Sequence, residues 1–118
     1  MIEMDTITLP KAEVKVEFSL TATVNITRTI AQRRVSRFML DNVGNLLYGE
    51  KPTLAMGEEL LWRVPIWLAL PSSGPVGKVG SLDVNAQTGE ILYSQKVLEE
   101  IEQRADVLAT PYIPEATP

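Results

Sequence analysis

Residues 62–92, WRVPIWLALPSSGPVGKVGSLDVNAQTGEIL, constrain the fold more than any other part of the chain. They read as three antiparallel strands joined by two turns. In residues 62–70, Trp62, Val64, Ile66, Leu68 and Leu70 share one face, and Arg63, Pro65, Trp67 and Ala69 share the other. Apolar residues on both faces from Val64 onward fit a strand covered on both sides. Pro65 cannot donate a ladder bond and marks an edge or a bulge. Residues 71–77 read as a loop. Residues 79–85 read as the next strand, with Leu82 and Val84 inward, and residues 90–93 as a short last one. Between these two strands lies Asn85-Ala86-Gln87-Thr88-Gly89, which puts a glycine where the turn needs a positive φ.

Upstream, residues 12–26 alternate with period two. Ala12, Val14, Val16, Phe18, Leu20, Ala22, Val24 and Ile26 fall on one side, and Glu13, Lys15, Glu17, Ser19, Thr21, Thr23 and Asn25 on the other. This predicts a half-buried antiparallel strand. At about 3.3 Å per residue it would extend roughly 50 Å, whereas a domain of this size is only about 35 Å across. The strand must bend, break at a bulge, or overhang and offer an edge to a second chain. Val14, Val16 and Phe18 are the candidate contacts on that edge.

Two helices complete the pattern. Thr29 and Gln32 match a capping box, and Ala31, Val35, Phe38, Met39, Asn42 and Leu46 follow at helical spacing, predicting a long helix over residues 30–47 with Gly49 as its stop. Residues 50–59 read as a connector. Ser94 is a suitable cap for a shorter helix over residues 95–108, striped by Val97, Leu98, Ile101, Ala105 and Leu108. The expected architecture is α+β: an antiparallel sheet of about four strands with one long helix and a shorter C-terminal helix. Residues 11–109 form one domain, between a flexible N-terminus (1–10) and a flexible Pro-rich tail (110–118).

The arrangement resembles a PepSY-type domain, in which a helix packs on an antiparallel sheet that closes with a hairpin of the form V-D-A-x-T-G-E-I/V. The matching residues are Val84-Asn85-Ala86-Gln87-Thr88-Gly89-Glu90-Ile91, preceded in order by residues 31–47 and by the strand opening at Trp62-Arg63-Val64. Asn85 stands where the family usually has aspartate. The resemblance covers about residues 27–93. It implies a non-catalytic module, in some members inhibitory toward peptidases, and supplies no catalytic residues.

Composition narrows the function classes. The 118 residues are 45% hydrophobic and 22% charged, with a net charge of −4, as in a globular domain with a sizeable core. Neither cysteine nor histidine occurs. This removes thiol nucleophiles, Cys/His zinc sites and the commonest general base near neutral pH, and it points away from an enzyme. A chain without disulfides suits a reducing, cytoplasmic compartment. No apolar run is long enough to span a membrane.

Arg28, Arg33, Arg34 and Arg37 place four of the eleven basic residues within ten positions. Arg33, Arg34 and Arg37 fall opposite the helix's apolar stripe. The plain reading is a solvated face, and the functional one is a grip on an acidic protein partner; the negative net charge argues against nucleic acid. Gly74, Gly77 and Gly80 with Lys78 fit neither phosphate-loop fingerprint and lead into a strand, so they read as a hairpin loop. Glu99, Glu100 and Glu102 diverge around a helix and read as a solvated face. Asp83, Asn85 and Glu90 offer oxygens without a recognised cation pattern. Tyr48 and Tyr93 read as packing residues. Coverage of Trp67 by the C-terminal helix is the favoured reading; left uncovered, Trp67 becomes an aromatic anchor for a partner. No cofactor or metal is called for. The expected function is a non-enzymatic interaction or regulatory module, self-associating as a homodimer through residues 12–26. The alternative is a small-ligand pocket between sheet and helix lined by Phe38, Met39 and Trp62.

Overall fold

The computed structural model describes residues 24–110. Val14, Val16 and Phe18, and both ends expected to be flexible, lie outside the described residues, apart from Thr110. The elements run α1 (Arg28–Asn42), β1 (Leu47–Gly49), β2 (Thr53–Met56), β3 (Leu60–Leu70), β4 (Gly74–Asn85), β5 (Ile91–Leu92) and α2 (Gln95–Ala109). The architecture is α+β, and the described residues form a sheet of five antiparallel strands and two helices of equal length, 15 residues each. The additional strands are β1 and β2, which arise in stretches read as helix end and connector.

Val24, Asn25 and Ile26 are not strand, in contrast to the expectation for residues 12–26. The Asn25 and Ile26 amides both donate to the Ala86 carbonyl, at 3.0 and 2.9 Å. The Ile26 carbonyl accepts the Trp62 indole N–H at 2.6 Å. These bonds tie residues 24–26 at single points, and no ladder forms among the described residues; residues 12–23 of the expected strand lie outside them. Thr27 then caps α1: its backbone is extended, and its hydroxyl accepts the Ile30 amide at 3.2 Å. The expected box at Thr29 and Gln32 does not form, because the Gln32 side chain donates instead to the Gly49 carbonyl at 3.1 Å, joining α1 to β1. The helix ends at Asn42, short of residue 47. The Val43 and Gly44 amides both turn back to the Met39 carbonyl, and Leu47 leaves to pair with Leu68 in the sheet. Gly49 lies inside β1 and does not stop the helix.

β3 is the centre of the sheet. On one side Ile66 to Leu68 pair with β1 and Leu60 to Arg63 with β2; on the other side β4 pairs along the whole length. Pro65 falls between the two partner segments, where its missing N–H breaks no ladder bond. The burial of β3 alternates without a fault, so its parity survives the proline.

The irregularities are in β4. Its register against β3 shifts between Ile66 and Trp67 and again between Leu68 and Ala69, which leaves Val79 and Val76 as extra residues. Positions three apart in a regular strand face opposite ways. The inserted Val79 returns Gly77 and Gly80 to the same face, opposite Leu68 and Ile66. A Cβ on Gly77 would lie 2.9 Å from Leu108, and one on Gly80 2.7 Å from Ile101. The glycine series is therefore not a loop: it belongs to β4, and two of its members clear bare backbone for α2, which is capped by Ser94 as expected.

Both helices lie on this one sheet face. Ala31, Val35 and Met39 of α1 and Leu98, Ile101 and Ala105 of α2 meet Val64, Ile66, Leu68, Leu82 and Val84 in a single core. Each large side chain so buried stabilises the fold by about 1.5–3 kcal/mol relative to exposure.

Candidate functional site

The other sheet face carries Trp67. Its directly opposed neighbours are Tyr48 on β1 and Lys78 on β4. Pro65 stands opposite Ser81, and Arg63 opposite Asp83. Trp67, Tyr48, Pro65, Leu61 and Ala69 are all half-buried. No helix among the described residues covers them. The expected cover, the C-terminal helix, is on the opposite side, because the double bulge and the glycines of β4 seat it against Ile66 and Leu68 and not against Trp67. Among the described residues, therefore, Pro65, Trp67 and Ala69 lie on a face without a helical cover.

Polar groups frame this aromatic centre. Arg63 holds Asp83 through two bonds, Nε at 2.9 Å and an Nη at 3.1 Å. Asp83 raises the basicity of that exposed guanidinium further. The Tyr48 phenol is pushed above its ordinary value of 10.0, first by desolvation and then by a hydrogen bond to Glu50 and its negative charge. Both partners act in the direction expected of a carboxylate: it favours a cation and disfavours a phenolate.

The arginines are elsewhere. Arg33, Arg34 and Arg37 project from α1, on the helix side of the sheet, so the structure separates them from Trp67. Arg34 donates to the Gly89 carbonyl at 3.1 Å. Gly89 has φ of +80°, and a Cβ there would meet the Arg34 guanidinium. The turn glycine thus serves the backbone and also seats an arginine. Arg37 pairs with Asp41 at 2.9 Å, an exposed i,i+4 pair. Beside them Phe38 leans on Tyr93, with ring centroids 4.8 Å apart and planes tilted by 53°. Together they line an open groove of about 590 Å³. Arg28 turns away and lies over the Trp62 ring, 5.8 Å from its centroid.

The residues proposed to line a ligand pocket are dispersed. Met39 is sealed in the core, Trp62 is nearly so, and Phe38 faces the groove beside Tyr93. Of the three oxygen-bearing residues of the hairpin, Asp83 and Asn85 are likewise committed, and Glu90 is exposed. The Asp83 carboxylate is held by Arg63. The Asn85 side-chain oxygen Oδ1 accepts the Gln87 and Thr88 backbone amides at 2.8 and 3.0 Å, and its side-chain Nδ2 donates to the Glu59 carboxylate. An aspartate would hold the same two amides but would set a second carboxylate against Glu59, which gives a physical reason for asparagine here.

Sequence reasoning missed Tyr48 and Lys78 as neighbours of Trp67. Lys78 stands opposite Trp67 only because of the bulge at Val79. Tyr48 was hidden by reading residues 30–47 as unbroken helix, although Gly44 and Asn45 signal a break. No helix among the described residues is long and apolar enough to cross a membrane. Comparison with protein-family models, with curated proteins and with solved structures finds no match for this chain.

Proposed function

We propose that this chain is a non-enzymatic protein-interaction or regulatory module of PepSY-like type, acting in a reducing, cytoplasmic setting and self-associating as a homodimer. The observation that carries the reading is the sheet face around Trp67, which no helix among the described residues covers: a tryptophan and a tyrosine, side by side and half-exposed, with charged groups around them. Buried aromatic anchors inside a polar rim are what give protein interfaces their affinity. The alternating pattern of residues 12–26 adds a second contact, an edge strand able to pair with another chain through Val14, Val16 and Phe18. Neither surface calls for a cofactor, a metal, a nucleic acid or a membrane.

Sedimentation velocity on the full chain from ten to several hundred micromolar tests this. A dimer is expected to form in that range. Trp67→Ser and Val16→Pro are each expected to weaken it if their surfaces take part. A wild-type chain that sediments as a monomer throughout removes self-association from the reading.

A further inference from the structure

Because both helices lie on one sheet face, the surface they present to solvent has two halves of opposite sign. The α1 half carries Arg33, Arg34 and Arg37 with a single aspartate, Asp41; the α2 half carries Glu99, Glu100, Glu102 and Asp106 with Lys96 and Arg104. The segment that follows α1 reaches α2: one cleft is lined by Val43 and Leu46, just past the end of α1, and by Ala105 and Ala109 of α2. Each outer face also exposes a large apolar side chain. Leu40 on α1 is 50% exposed and Val107 on α2 is 74% exposed, with no partner among the described residues.

We infer that the helical face is a self-complementary interface whose occupant is a second copy of this chain. A two-fold axis lying in the plane of the contact and running between the helices sets α1 of each copy on α2 of the other. Such an isologous contact uses the same patch twice. It brings the arginine face onto the carboxylate face in both halves and covers Leu40 and Val107. The alternative superposition, α1 on α1, sets arginines against arginines and is repelled, so the pattern also fixes the orientation. The internal Arg37–Asp41 pair does not oppose this, because exposed pairs of this kind contribute little and exchange partners freely. Two helices of 15 residues project roughly 450 Å² on each copy, at about 1.5 Å of rise per residue and 10 Å of width. That footprint belongs to the weak, transient class of interfaces. The inference rests on the self-association proposed above and assigns it a surface distinct from the Trp67 face and from residues 12–26.

Charge reversal by sedimentation velocity on the full chain, at about 50 mM and at 500 mM salt, tests it. One variant carries Arg33→Glu with Arg37→Glu, and the other Glu99→Lys with Asp106→Lys. All four positions are exposed, so both variants are expected to fold, which circular dichroism and thermal unfolding check. Each variant alone is expected to dimerise at least tenfold more weakly than the wild type. Their equimolar mixture is expected to recover dimerisation, because each variant then meets a face of opposite sign in both halves. High salt should weaken the wild type and the mixture alike. Variants that dimerise like the wild type, with Val16→Pro or Trp67→Ser abolishing the dimer, would overturn the helical interface and leave self-association standing. A mixture that stays monomeric while the wild type dimerises also overturns it. A monomeric wild type at every concentration removes both readings.

Discussion

The two faces of the sheet are built from the same strands and have opposite fates. Along β3, Val64, Ile66 and Leu68 are sealed beneath two helices, while Pro65, Trp67 and Ala69 alternate with them and remain half-exposed. What separates the faces is the partner strand, not the composition of β3. The glycines and bulges of β4 let a helix approach one face to van der Waals contact. The other face meets Lys78, Ser81 and Asp83, which suit water or a polar rim. An apolar residue on a strand is thus evidence of burial only when the facing residues leave room for a cover.

Two neighbours on β3 put this contrast to its strongest test. Ile66→Ala removes fully buried volume and is expected to cost about 2–5 kcal/mol in urea unfolding. Trp67→Ala, one residue away, is expected to cost about 1 kcal/mol, since its side chain keeps contact with water in the folded state. Equal losses would mean that the open face is covered in solution, and the contrast drawn here would fail.

A smaller effect sharpens the account of the hairpin that borders both faces. Asn85→Asp sets a carboxylate against Glu59 in a site where Asn85 is only 6% exposed, and it should cost about 1–3 kcal/mol at pH 7. The paired carboxyls would titrate higher in the folded state than in the unfolded one. The folded form then holds more protons, so stability recovers as pH falls and is lost as pH rises through the raised pKa. Melting temperatures at pH 4 and 7 check the sign, and adding Glu59→Gln should remove the pH dependence. A deficit identical at both pH values would show that charge is not its cause.

The finest test is spectroscopic. Ultraviolet titration should show Tyr48 ionising above its ordinary value of 10.0, and Glu50→Gln should bring it down in part, desolvation being the larger cause. The raised value means that Tyr48 favours folding below pH 10 and that this contribution disappears as pH rises through its folded pKa. A difference spectrum unchanged by Glu50→Gln would dissociate the two side chains.

Most of the architecture was legible because its causes are local. The alternation of residues 62–70, the apolar stripes at Ala31, Val35 and Met39 and at Leu98, Ile101 and Ala105, and the Ser94 cap all act within a few residues. The turn at Gly89 does too. What was not legible depends on long-range competition. Gln32 gave up its capping role to reach Gly49. Residues 47–49 left a helical pattern to pair with β3, where ladder bonds and the burial of Leu47 outweigh one more helical turn. The placement of α2, and with it the exposure of Trp67, turned on bulges that single-strand periodicity cannot register. The candidate residues within the described part were named, but not their neighbours: Tyr48 and Lys78 come beside Trp67 only through the break after α1 and the bulge at Val79.

The bulges of β4 have one more consequence. Beyond β5 the outer edge of β4, from Gly74 to Leu82, pairs with no strand among the described residues. A flat edge of that length is a template for cross-β growth. This one is kinked twice, carries Pro75, three glycines and Lys78, and has the Val79 carbonyl engaged by the Arg104 guanidinium at 3.5 Å. The irregularity that admits α2 therefore also makes the strand a poor seed for aggregation.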